Sequence, residues 1–151
     1  GWVYITTVPG AGQWPLVTKY KLGDIGNSEY RFTYEGGDLA FEFQVTNGTL
    51  GASVENDLTP QAATWYFVVC EHDSVNNRIT MQVNGNTTAS TSYSGGSQAT
   101  TTSFRMGAEN SPDRFIAARL DSWSFFKRLL TAQEKTLLQN GVAGFDYPFG
   151  N

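Results

Sequence analysis

The chain has 151 residues, a net charge of −4 and scattered lysines and arginines with no basic tract. Clustered positive charge, which phosphate binding and attachment to anionic membranes both need, is therefore missing, so nucleic acid and charged membrane surfaces are excluded as expected partners. Charged residues make up 16% against an average near 25%, and aromatics make up 14%; a turn-rich β protein with an aromatic core fits this balance.

One domain, residues 1–151, is expected at this length, large enough to bury about two-thirds of its surface. No apolar run approaches the roughly 20 residues of a membrane span, and no signal-peptide pattern is visible. The chain opens on Gly1 and not on Met, the start expected of a processed protein or a piece of a longer one.

Taken in chain order, nearly every segment alternates with period two, the mark of a half-buried strand. Trp2, Tyr4 and Thr6 alternate with Val3, Ile5 and Thr7. Tyr30, Phe32 and Tyr34 alternate with Arg31, Thr33 and Glu35, and Leu39, Phe41, Phe43 and Val45 with Ala40, Glu42 and Gln44. Gly36-Gly37-Asp38 lies between these two runs, so 29–35 and 39–46 are expected to pair antiparallel. Asn47-Gly48 then supplies the positive φ angles of a tight hairpin leading into a strand near Thr49–Glu55.

Residues 65–70 are apolar on both faces and are expected to form a central strand covered on both sides. Cys70 within it, the single cysteine, reads as a buried, inert thiol. Ile79, Met81 and Val83 alternate again, whereas residues 86–102 are small and polar and read as a long loop or a weak exposed edge. Asn47-Gly48-Thr49 and Asn86-Thr87-Thr88 fit the glycosylation sequon, which matters only in a eukaryotic source. Near the end, Thr131 and Glu134 form a capping box. Leu137 and Leu138 are expected to face the core, and Gly141 to end the helix in a left-handed cap. Short strands at this spacing predict a two-sheet antiparallel sandwich with one short C-terminal helix.

Five motifs in order sharpen that class: Trp65-Tyr66-Phe67, Met81-Gln82-Val83-Asn84-Gly85, Arg105-Met106-Gly107, Leu120-Asp121-Ser122-Trp123 and Arg128-Leu129-Leu130 with Glu134 on the helix. Together, over about residues 1–149, they resemble the laminin-G-like branch of the concanavalin A-like lectin/glucanase fold. The chain departs from that pattern at Phe67 for a His, Ala118 for a Gly and Ser122 for an acidic residue. The resemblance implies an all-β jelly roll used mostly to display binding surfaces. It also implies further strands before Gly1, one of them beside the C-terminal strand. A sandwich without that strand exposes an edge that invites pairing, so the expected partner includes a neighbouring subunit or an additional segment that completes the sheet.

Catalytic patterns are sparse. A glycosidase of this wider fold needs a Glu-x-Asp-x-Glu-like strand, because one carboxylate attacks while another protonates the leaving oxygen. The nearest match, Glu71-His72-Asp73, is followed by Val75 and Asn76 at the third position, so these residues read as a strand end entering a turn. His72 is the single histidine, there is no Gly-x-Ser-x-Gly elbow and no zinc-ligand spacing. An enzyme is not expected, and no cofactor is required. For Ca²⁺, a hard cation that takes oxygen ligands, Asp73, Asn76, Asp113 and Asp121 are the candidates, although Asp121 fits equally as a bond to loop backbone.

Binding surfaces remain. Recognition of a sugar needs an aromatic face under the ring and polar groups for its hydroxyls. The outward residues Arg31, Thr33, Glu42, Gln44, Arg78, Thr80 and Gln82 are expected to share one polar sheet face, with Trp14, Tyr20 and Tyr93 as stacking aromatics and Trp2, Trp65 and Trp123 in the core. The plainer alternative is a solvated sheet face. The leading expectation is a non-catalytic adhesion or recognition module for a glycan or protein ligand, extracellular, at the cell surface or on a virion. The alternative is a structural assembly module, such as a capsid decoration or fibre component, and a glycoside hydrolase comes third.

Overall fold

A computed structural model describes residues 1–109 and 114–140. The described residues form β1 (Trp2–Ile5), β2 (Gln13–Lys19), β3 (Tyr30–Glu35), β4 (Ala40–Thr46), β5 (Gly51–Glu55), β6 (Thr64–Asp73), β7 (Arg78–Val83), β8 (Ala89–Ser92), β9 (Arg105–Met106), β10 (Ala118–Asp121) and α1 (Ala132–Gln139). They make two five-stranded sheets, a first in the order β10-β1-β6-β7-β8 and a second in the order β5-β4-β3-β2-β9. Every strand pair is antiparallel. The expected all-β, two-sheet sandwich with one short helix is what the chain forms.

The period-two pattern builds the core. Val3 and Ile5 of β1, Tyr66 and Val68 of β6, and Ile79, Met81 and Val83 of β7 face Phe32 and Tyr34 of β3 and Phe41, Phe43 and Val45 of β4. Burying each such side chain contributes about 1.5–3 kcal/mol. The predicted β3–β4 hairpin is present with Glu35 opposite Ala40. The next strand starts at Gly51, two residues later than expected, because Asn47 Oδ1 accepts from Thr49 N at 3.0 Å and from Leu50 N at 2.8 Å. That side chain closes the turn and takes those amides away from the ladder.

β6 is central, as its composition implies. Its two faces carry different cores, because Phe67 and Val69 join Trp2 in a second cluster on the outer face of the first sheet, roofed by Leu130 and Leu138. Trp65 departs from expectation: it is 39% exposed, because the helix covers the Phe67 row and not the Trp65 row. Trp123 packs partly buried against the main core.

The capping box forms, with Glu134 N donating to Thr131 Oγ1 and Thr131 N donating to Glu134 Oε2. Arg128 adds two bonds to the same carboxylate, at 2.6 and 2.8 Å; Arg128 and the cap amide hold its pKa down at about 2. Lys135 Nζ donates to Glu71 Oε2 at 2.6 Å and anchors the helix to β6. Leu138 lies three residues on, along the same stripe. Leu137 falls on the opposite side and is 56% exposed, contrary to expectation. Asn140 takes the left-handed conformation, at φ 44°, that had been expected of Gly141, which lies outside the described residues. Residues 86–102 contribute the short edge strand β8.

β1 covers only part of β6. Gly1 exchanges two hydrogen bonds with Val68, and beyond that point β6 pairs, among the described strands, with β7 alone. Ladder parity points the backbone N–H and C=O of Cys70 and His72 away from β7, toward the side that β1 does not reach. An open cleft of about 520 Å³ runs alongside, lined by Val17, Tyr30 and Phe43 of the second sheet and Cys70 and His72 of the first, with Phe125 among its remaining walls. Cys70 is half-buried there and not fully buried as expected, and burial pushes its thiol up to about 12. On the far side of β1, β10 is the outermost of the described strands, and its Arg119 and Asp121 are exposed.

Candidate functional site

The outer face of the second sheet carries a polar constellation set by strand register. Residues opposite one another in antiparallel strands share a face. One row therefore reads Thr18, Arg31, Gln44, Ser53, the next Pro15, Thr33, Glu42, Glu55, and the third Gln13, Glu35, Ala40. Thr33, Glu35 and Glu42 are buried, and Arg31 is only 5% exposed. Gln13, Tyr20, Gln44 and Ser53 are half-buried and Glu55 is exposed, so the buried floor has an accessible rim.

Arg31 is the hub. Its Nη2 donates to Glu42 Oε1 at 3.1 Å and its Nη1 to Gln13 Oε1 at 2.6 Å. Its guanidinium lies 4.7 Å from the centre of the Tyr20 ring, a cation–π contact. The segment after β9 closes over this face. Thr18 Oγ1 donates to Ala108 O at 3.0 Å, and Arg114 Nη1 to Gln13 O at 3.3 Å. Glu109, buried, is within electrostatic reach of both Arg31 and Arg114.

Burial governs the protonation of this face. It pushes the Glu35 carboxyl above the usual range, although the Thr33 hydroxyl donates to it at 2.8 Å. Burial also raises Glu109 and, with the charges of Glu42 and Asp38, Glu55. Among the described residues, three buried polar atoms of adjoining side chains have no hydrogen-bond partner: Arg31 Nε, Gln44 Oε1 and Glu109 Oε1. They comprise one donor and two acceptors.

Four of the residues singled out from sequence, Tyr20, Arg31, Glu42 and Gln44, thus come together. Arg78 and Gln82 do not join them. They lie on β7 in the first sheet, so with Thr80 they face the opposite side of the sandwich. The pattern gave the correct parity but left open which sheet each strand enters. Gln82 Nε2 is bound to Asn86 O. Tyr93 is a core residue, 5% exposed, with its hydroxyl on Gly96 O. Trp14 is opposite Tyr34, hence on the core side of β2, and its indole N–H is bound to Gly10 O. Neither ring offers the stacking face expected of it.

Gln13, Glu35, Glu55, Glu109 and Arg114 belong to the site and were not anticipated. Glu35 was recoverable, since it alternates with Arg31 and Thr33. Glu109 and Arg114 arrive from a distant loop and leave no local signal.

The metal candidates among the described residues, Asp73, Asn76 and Asp121, are not assembled. Asp73 and Asn76 share the β6–β7 turn, where Asn76 N and Nδ2 and Arg78 Nε all donate to the Asp73 carboxylate. The Asn76 amide and then Arg78 hold that carboxyl below its ordinary range. Asp121 sits in the row of Phe67, six residues along β6 from Asp73, or roughly 20 Å at strand rise. Among the described residues it accepts from Ser122 Oγ and not from the loop backbone. Asp113 lies outside the described residues. No group of three His, Cys, Asp or Glu able to hold a metal occurs among the described residues. Glu71 is occupied by Lys135 and by Leu130 N, the structural use expected of that strand end.

A laminin-G-type family model, described as the concanavalin A-like lectin/glucanases superfamily, matches residues 1–134. The chain belongs to this superfamily. Among curated proteins, none is detectably similar in sequence. Membership supports a carbohydrate- or protein-binding module in general, in a superfamily that also includes glycosidases. No described helix is long and apolar enough to cross a membrane.

Proposed function

We propose that the domain is a non-catalytic recognition module that takes a glycan against the outer face of the second sheet, around Arg31. The trio of unpartnered polar atoms carries this reading. A buried polar atom left without a partner costs about 1–3 kcal/mol, and a polyhydroxylated ligand that displaces the rim side chains over this floor would supply the donors and the acceptor that Gln44 Oε1, Glu109 Oε1 and Arg31 Nε lack among the described residues. Gln13, Tyr20 and Ser53 on the rim give it further contacts. The reading requires no cofactor, and it places the domain where glycans are displayed: extracellular, at a cell surface or on a virion. A glycan array followed by calorimetry tests it. Gln44→Ala is expected to weaken the best glycan by about tenfold, the effect of one strong hydrogen bond. Unchanged affinity in that variant, or an array with no binder, would sink the reading.

An assembly role is the second reading, and the cleft beside β6 favours it. An added strand, from a neighbouring subunit or a further segment, has the backbone groups of Cys70 and His72, unpaired among the described residues, to pair with and an apolar trough to fill. A light-scattering concentration series separates the two: stable oligomers without glycan binding favour assembly, and a glycan-binding monomer favours recognition.

A further inference from the structure

The outer face of the first sheet carries an aromatic row that the helix leaves uncovered. Tyr4 on β1 is opposite both Arg119 of β10 and Trp65 of β6, so the three side chains line up across adjacent strands, about 10 Å from end to end. The Tyr4 and Trp65 rings lie 5.2 Å apart between centroids, and the Arg119 guanidinium lies 5.2 Å from the Tyr4 ring centre. The neighbouring row, Asp121–Trp2–Phe67, has the same strand positions, but there Trp2 and Phe67 are sealed under Leu130 and Leu138. Trp65, Arg119 and Asp121 remain exposed, and Tyr4 is half-buried. Among the described residues, the Trp65 indole N–H has no hydrogen-bond partner and Arg119 has no carboxylate partner.

We infer that this row is a second ligand site, one that takes a neutral pyranose. The C–H face of the sugar stacks on the exposed Trp65 ring, the arrangement in which an apolar ring face meets an aromatic π-surface. Hydroxyls accept from the Trp65 indole N–H and from Arg119, and Asp121, the next outward residue on β10, accepts from a hydroxyl. Arg119 and Asp121 cancel in charge, which selects a neutral saccharide over an acidic one. The site is separated from the Arg31 face by the whole thickness of the sandwich and does not depend on it.

An NMR titration with cellohexaose and chitohexaose as probes tests the site. The Trp65 indole N–H resonance, identified by its disappearance in Trp65→Phe, is expected to shift with at least one probe. Trp65→Ala is expected to weaken that probe roughly tenfold, and Arg119→Ala, at an exposed position, to weaken it about threefold. A Trp65 resonance unmoved at millimolar concentrations of either probe overturns the inference, as does affinity unchanged in both Trp65→Ala and Arg119→Ala. Loss of binding in Gln44→Ala alone leaves the Arg31 site standing and removes this one. Loss in Trp65→Ala and Arg119→Ala alone does the reverse.

Discussion

The two outer faces of the sandwich handle exposed sheet in opposite ways. On the second sheet, the alternate positions of β3 and β4 are charged or polar, and a loop after β9 buries them, so Arg31 and Glu42 are held in a nearly dry ion pair. On the first sheet the same positions are aromatic, and a helix buries one row while leaving the next open. Charge that is covered becomes interdependent, because removing one member strands the others. Aromatic surface that is uncovered stays independent of the fold and free for contact.

Substitutions on the two faces should differ in cost, and Arg31 should be the most sensitive position. Arg31→Met leaves Glu42 buried without its cation and is expected to cost about 3–5 kcal/mol in urea unfolding, with much of it recovered in Arg31→Met/Glu42→Leu. A single-variant cost below about 1 kcal/mol, the range of exposed pairs, would make the Arg31 face a solvated one. Phe67→Ala, under the helix, is expected to cost about 3 kcal/mol. Trp65→Ala, two residues earlier on the same face, should stay within about 1 kcal/mol in the same unfolding experiment. Thr131→Ala removes the cap and should lower stability by about 1 kcal/mol, together with part of the helical circular dichroism.

The smallest effect concerns pH. Burial raises the folded-state pKa of Glu35 above its ordinary value of 4.5. The folded chain therefore holds that proton more tightly than the unfolded chain. The resulting stability is present in acid and is lost as pH rises from about 4.5 through the raised value. Glu35→Gln keeps the bond from Thr33, so it is expected to unfold at higher urea than the native chain at pH 7 and to flatten the decline above pH 4.5. A Glu35→Gln variant whose stability follows the native chain's pH profile across that window would place Glu35 in water.

The sandwich itself was legible because period-two runs such as Phe41-Phe43-Val45 state which side of a strand is buried. The capping box states where the helix starts. Face alone does not say which sheet a strand joins, and this is why Arg78 and Gln82 were grouped with Arg31 although they lie on the opposite side. Nor does an aromatic residue in a strand say what covers it. Trp65 and Tyr93 look alike in sequence, yet one is left open by the placement of a helix some sixty-five residues on, and the other is drawn into the core by its bond to Gly96. Glu109 and Arg114 join the Arg31 face through a return of the chain that no local pattern encodes.

The partial pairing of β6 bears on how the sandwich breathes. A strand at the centre of the sheet order ought to exchange its amide hydrogens slowly along its whole length. Here, successive residues alternate between a β7 bond and no β1 bond, so protection should alternate as well: slow at Val69 and Glu71, faster at Cys70 and His72. Hydrogen exchange followed residue by residue would show an interior strand behaving as a border over its second half. Slowing at Cys70 and His72 alone would then report the arrival of a strand in the cleft.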